Sequence, residues 1–227
     1  MKRFWTDVRV DADRLIRLDD RPVRTPGRTP LALPGDALAT AVAEEWRGVA
    51  ETIDPRTMPL TGLANAAIDR IAPARADFAA GLAAYADSDL LCYRADAPHE
   101  LVARQAAAWD PLLDWARERY DVHFEIVTGI IHRDQPPATR ARLREAVASR
   151  DAFHLAGLSP VVTLTGTLVG ALALAEAAVD ADTLWRAANV DEDWQAEHWG
   201  EDALAAEARA ARRRDYDAGV RWLTLLA

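Results

Sequence analysis

The sequence predicts an α+β protein: a small β-rich N-terminal domain, residues 1–57 with one following helix, then a larger all-helical C-terminal domain, residues 58–227. Three observations carry this. Residues 4–33 alternate apolar and polar positions and are cut by prolines at 22, 26, 30 and 34, the pattern of short strands. From Asp36 the apolar period becomes helical, and beyond the stretch 53–59 almost every segment is alanine-rich with apolar residues at helical spacing. A chain of 227 residues buries roughly 70–75 % of the surface its unfolded form exposes, so it needs no staple of disulfide or metal.

The elements follow in order. The pair Asp19–Asp20 stands between Leu18 and Val23, where a tight hairpin turn falls, and Pro22 marks the second strand as an open edge because it cannot donate to a ladder. Leu38, Val42, Trp46 and Val49 share one helical face, with Glu44, Glu45 and Arg47 off it. Thr61 is the expected cap of a next helix with the apolar set Leu60, Leu63, Ala64, Ala67, Ile68 and Ile71. Helices are then expected at 74–92, 99–120, 138–149, 160–178, 182–199 and 201–226, with Pro111 kinking or restarting the second of these. VHFEIV at 122–127 alternates like a strand. The apolar run 158–179 reads as a central core helix capped by Ser159 with Pro160 at its first position; three threonines, two glycines and Glu176 argue against a membrane span.

Charge excludes some functions. Thirty-six acidic against 27 basic residues give a net charge of −9, which opposes attraction to nucleic acid or anionic lipid. The arginine tracts at 140–145 and 209–221 carry interleaved acids and read as solvated helix faces. MKRFWTDVRV has the look of neither a signal nor a transit peptide, so a cytoplasmic location is expected. The lone Cys92 cannot form an internal disulfide.

Chemical signatures are sparse. There is no G-x-S-x-G elbow and no phosphate loop; GTLVGA at 166–171 suits close helix packing. The five histidines form no H-E-x-x-H pair, and Gln195, three before His198, is a poor metal ligand. Asp87 and Asp89 diverge by about 200° on a helix, which favours solvated or capping roles over a paired acid and base. An enzyme using Asp87, Asp89, Arg94 and His198 remains the competing reading, and a nucleic-acid adaptor using the arginines at 209–214 is a third.

Tryptophan is the unusual residue: eight, against four tyrosines and four phenylalanines. Trp46, Trp115, Trp194 and Trp199 are bracketed by charge, the composition of protein-binding surfaces. The competing reading for each is a core residue with a wet edge. DEDWQAEHWGED at 191–202 holds six carboxylates, one histidine and two indoles. Trp194 and Trp199 lie about 140° apart on a helix, so one core seam cannot easily take both, and Gly200 would end that helix. The acids are suited to answering a basic surface on a partner.

Five blocks in this order, RLDDRPVRTP, IDPRTMPLTGLANAAID, YADSDLLCYRA, RQAAAWDPLLDW and DEDWQAEHWGED, resemble the F1 ATP synthase assembly chaperone family whose members bind the α subunit. The likeness runs from Phe4 to Arg214. Asp20, Ala66 and Ser88 depart from it, where the family usually has Gly, Thr and Thr. The resemblance implies a non-enzymatic protein without cofactor or metal. Its partner would be the newly made, nucleotide-free α subunit, held until the β subunit takes the same surface. The family also serves mitochondria. The resemblance maps a sensitive acidic position onto Asp191 or Glu192, and Trp46 onto a position whose loss damages folding more than contact. The expected partner-binding set is Asp191, Glu192, Trp194, Gln195, Trp199 and Trp46, in a groove with apolar and indole lining rimmed by carboxylates. Replacing Asp191 and Glu192 together by Ala is expected to weaken capture without lowering the melting temperature.

Overall fold

A computed structural model describes residues 1–129, 131–200 and 202–227. The chain forms two compact units, one of Met1–Arg75 with Asp151–Gly157 and Ala218–Ala227, the other of Ala76–Arg150 with Leu158–Asp217. The architecture is α+β, with a small strand region at the N-terminus and helices over most of the rest.

In the first unit β1 (Val8–Val10), β2 (Ile16–Leu18) and β3 (Arg21–Pro22) form an antiparallel sheet in that order. The hairpin turn falls on Asp19 and Asp20, since Leu18 pairs with Arg21. Asp19 takes the left-handed conformation at φ 53°, and its carboxylate accepts the backbone N–H groups of Thr6 and Asp7 at 3.1 and 3.0 Å. Those bonds hold its carboxyl below the usual range. Pro22 lies on the edge strand.

Helix α1 (Asp36–Arg47) buries Leu38, Val42 and Trp46, and Arg47 donates to the Val8 carbonyl at 3.0 Å. Helix α2 (Pro59–Ala66), beyond the stretch 53–59, belongs to this same unit. Thr61 does not cap it. The first turn is instead closed by Glu45 of α1, which accepts from the backbone N–H of Leu60 at 2.8 Å and from both the N–H and hydroxyl of Thr61 at 2.7 Å. A carboxylate one helix away satisfies donors that a local cap would otherwise serve. A π turn follows (Ala67–Ile71), and Asp69 in it holds the 25–29 turn through Thr25 Oγ1 (2.6 Å) and the Gly27 N–H (2.7 Å).

The second unit contains α3 (Arg75–Ala83) from its second residue, α4 (His99–Tyr120) and α5 (Pro137–Ala148); α6 (Ala152–Thr165) is shared between the units, and α7 (Leu168–Ala175), α8 (Ala181–Ala188) and α9 (Val190–Trp199) follow. The last helix, α10 (Ala203–Leu226), is also shared between the units. Helix α4 continues through Pro111. The expected helix at 74–92 stops at Ala83 and gives way to two 3₁₀ turns, Ala84–Asp87 and Leu90–Cys92.

The run 158–179 is two helices rather than one. Asp151 starts α6 by accepting the His154 N–H at 2.8 Å, so Pro160 lies inside the helix and Ser159 caps nothing. Gly166 breaks the run at φ 69°, and the Thr167 hydroxyl then caps α7 through the Gly170 N–H at 2.9 Å. Gly170 allows close packing, since a Cβ there would lie 2.4 Å from Leu184 Cδ1. The expected helix at 182–199 divides at Asn189, whose side-chain amide donates back to the Trp185 carbonyl at 2.7 Å. The last expected helix, 201–226, includes Glu201, which lies outside the described residues, as does Ile130; α10 is described from Ala203.

Only the end of VHFEIV enters a ladder: β5 (Val127–Thr128) pairs in parallel with β4 (Tyr93–Arg94). The extended backbone before it bonds to side chains instead. Thr139 brackets both backbone groups of His123, and Gln135 both of Glu125. Period-2 alternation therefore located extended chain but not a strand partner. No described helix is long and apolar enough to cross a membrane.

Candidate protein-binding surface

The second unit assembles an open groove of about 550 Å³ from α4 and the α8–α9 pair. Ala107, Pro111 and Trp115 supply one wall at successive turns of α4, and Ala178, Ala187 and Val190 supply much of the opposite one. The small side chains leave room above the two helices that larger ones would fill. Arg104 of α4 and Glu197 of α9 join across one end at 2.7 Å, and Asp180 and Arg186 add charge to the rim. The lining is thus apolar with a single indole, and the rim carries both signs of charge.

Helix α9 separates its two tryptophans as the 140° offset requires. Trp194 is 5 % exposed, covered by Arg104 with its guanidinium carbon 4.9 Å from the ring centre and stacked on His198 at 4.0 Å. Trp199 is 77 % exposed. Gly200, at φ 86°, ends the helix beside it. Gln195 is exposed on the same helix.

The acids of α9 are turned onto the chain itself. Asp191 accepts from Gln105 Nε2 at 2.7 Å, and the Gln105 carbonyl oxygen accepts the Ala95 N–H at 2.8 Å. Glu192 receives Arg212 on both oxygens at 2.6 and 2.8 Å, and Asp193 pairs with Arg209 at 2.5 Å. These contacts fasten α9 to α4 and α10. Sequence reasoning missed the partners Gln105, Arg209 and Arg212. Their i-to-j separations are long and no local pattern reports them. Trp46 stands apart from all of this, in the first unit, 8 % exposed with its ring edge-on to Trp5 at 5.5 Å.

The competing enzyme residues each have a structural partner of their own, and none lines the groove. Asp87 pairs with Arg140 of α5 at 3.4 Å, Arg94 with Asp110 of α4 at 2.7 Å, and His198 Nδ1 lies 2.8 Å from the Trp194 carbonyl. Asp89 is fully buried; it accepts the Leu91 N–H at 3.1 Å and the Val169 N–H of α7 at 2.9 Å. Burial pushes its carboxyl up to about 6 against those bonds. Burial likewise pushes the Cys92 thiol up to about 12, away from nucleophilic use. No group of three or more His, Cys, Asp or Glu among the described residues could hold a metal ion.

The family model described as ATP12 chaperone protein matches residues 2–117. The crystal structure of Atp12 from Paracoccus denitrificans is 43 % identical, with a TM-score of 0.94 over 100 % of this chain and 98 % of that one. An aspartate-to-lysine mutant of the same Paracoccus protein gives 0.95 at the same identity and coverage. A putative chaperone from Agrobacterium tumefaciens is 41 % identical, with a TM-score of 0.94 over 100 % of this chain and 86 % of that one.

Proposed function

The chain belongs to the ATP12 chaperone family, whose members assist ATP synthase assembly, and from that premise we propose that its client is the unassembled F1 α subunit. An orphan subunit exposes apolar surface that a partner would normally cover, and such surface aggregates. The chaperone covers it in the cytoplasm until the β subunit takes its place. Nothing is transformed in the process.

The observation that carries this reading is the open, alanine-walled groove of the second unit; the exposed Trp199 lines a separate cleft between α9 and α10. From Arg104 to Trp115 the α4 wall runs about 16 Å, the length of three helical turns, enough for a short amphipathic segment of the client. Trp199 supplies the exposed aromatic anchor typical of binding hot spots. Asp191, Glu192 and Gln195 act beside it, the two acids by keeping α9 in place against α4 and α10. Trp194 and Trp46 serve as buried support for their own units. This division of roles favours a rigid, preformed surface, which lowers the ordering cost of capture.

Size-exclusion chromatography of the chain with isolated F1 α subunit, with and without β subunit, tests the proposal. Co-elution with α that is lost on adding β is the expected result. Separate elution of chaperone and α at micromolar concentration contradicts it.

A further inference from the structure

Between α9 and the start of α10 lies a smaller cleft of about 290 Å³, walled by Trp199 and lined by Glu192, Gln195, Asp202, Ala205 and Arg209. Leu204, 75 % exposed, is on the first turn of α10. Residues 190–207 hold seven carboxylates and no lysine or arginine. Among the described residues three arginines, Arg104, Arg209 and Arg212, pair with three of the six described carboxylates, so three negative charges stand in excess along this stretch.

Four of the chain's seven other indoles show one use of such a ring. Trp5, Trp109, Trp185 and Trp194 each carry one of the chain's own arginines over the ring, from Arg3, Arg94, Arg213 and Arg104 at 5.7, 5.1, 5.5 and 4.9 Å. Trp199 is the exposed indole among the described residues, and no cation of the chain covers it there. Arg209, the cation in the cleft lining, is engaged by Asp193. An uncovered ring face in a field of excess negative charge attracts a cation from outside. The flat guanidinium suits it better than an ammonium, because it stacks on the ring while its N–H groups reach carboxylates at the edge.

We propose that the Trp199 cleft receives an arginine side chain of the client, its guanidinium stacked on the indole and its N–H groups directed to Glu192 and Asp202. This rests on the reading that the chain captures a polypeptide, and it commits the client to presenting a basic residue to this cleft. Asp202 accepts the Ala205 N–H at 3.1 Å through Oδ2, which holds this carboxylate at the lip of the cleft. Glu192 keeps lone pairs beyond its bond to Arg212, as a carboxylate accepts up to about four hydrogen bonds.

The test uses the full chain labelled with ¹⁵N at tryptophan and two blocked tripeptides, glycyl-arginyl-glycine and its neutral citrulline counterpart. The Trp199 indole resonance is assigned by its loss in Trp199→Phe, an exposed and conservative change. The arginine peptide should move that resonance, with an affinity about fivefold or more above that of the citrulline peptide, as a cation–π contact implies. Added salt should weaken the response. Equal response to both peptides, movement of other indoles only, or no movement overturns the proposal. If the peptides fail while α subunit still co-elutes, the cleft assignment falls and the client reading stands. If the arginine peptide binds at Trp199 but α subunit does not co-elute, the client reading falls and the cleft remains an arginine receptor.

Discussion

Gln105 and Asp191, 86 residues apart, meet at 2.7 Å, the amide nitrogen donating to the carboxylate. Gln105 is 1 % exposed, and its other end holds the Ala95 N–H, so one buried side chain joins α9 to α4 and to the segment after β4. The sequence alone treats Asp191 and Glu192 as interchangeable acids. The structure separates them, and the buried Gln105 partner of Asp191 argues against the expectation that losing both acids leaves the melting temperature unchanged. Asp191→Ala leaves a buried donor without its acceptor and should cost about 1–3 kcal/mol, whereas Glu192→Ala removes a half-exposed ion pair worth about 0–1 kcal/mol. Urea unfolding of the two variants checks this. Equal midpoints would remove the strut.

The two tryptophans at opposite extremes of exposure should fail in opposite ways. Trp46→Ala empties a packed position against Trp5 and should lose about 3–5 kcal/mol of stability. Trp199→Ala should leave stability within about 0.5 kcal/mol yet weaken α-subunit retention about tenfold or more, the loss expected of a binding hot spot. Thermal unfolding and a pull-down, run on both variants, distinguish the roles. Unchanged retention by Trp199→Ala would take that indole out of the surface.

Steric blockage tests the groove. Ala107 is exposed on the α4 wall, so Ala107→Phe adds a ring to solvent-filled space without disturbing the core. The expected outcome is an unchanged melting temperature with α-subunit co-elution abolished. Full co-elution would place the client elsewhere.

These distinctions show what the sequence could and could not report. Asp19–Asp20, the α1 face of Leu38, Val42 and Trp46, and the split between Trp194 and Trp199 were legible because turn chemistry and helical period act over a few residues. Glu45 closing α2 was not, since a distant carboxylate leaves no mark on the capped helix. Gly166 and Asn189 sit inside runs whose apolar or charged content hides the break. The groove itself is built largely from alanine, which signals helix and nothing about which face stays open. The sequence singled out Trp199 and the acids as candidates, but it took three-dimensional packing to pair those acids with Gln105, Arg209 and Arg212.

Asp89 gives stability a specific pH dependence. Its carboxyl titrates near 6 in the fold and near 4 when unfolded, so between these values the native chain holds a proton that the unfolded chain has released. Its contribution is therefore full below about pH 4 and lost as pH rises through about 6, a span of about 2–3 kcal/mol. Comparison with Asp89→Asn isolates it. Across pH 4 to 7 the wild type should lose stability relative to the variant, as read by urea midpoints; parallel curves would mean that the buried carboxyl titrates normally.

The central claim is that this surface keeps an orphan subunit soluble. Light scattering after dilution of denatured F1 α subunit, with and without an equimolar amount of the chain, addresses it most directly. The account predicts that scattering is suppressed by the wild type, and far less by Ala107→Phe and Trp199→Ala. Scattering that rises to the same level with the wild-type chain present would contradict it.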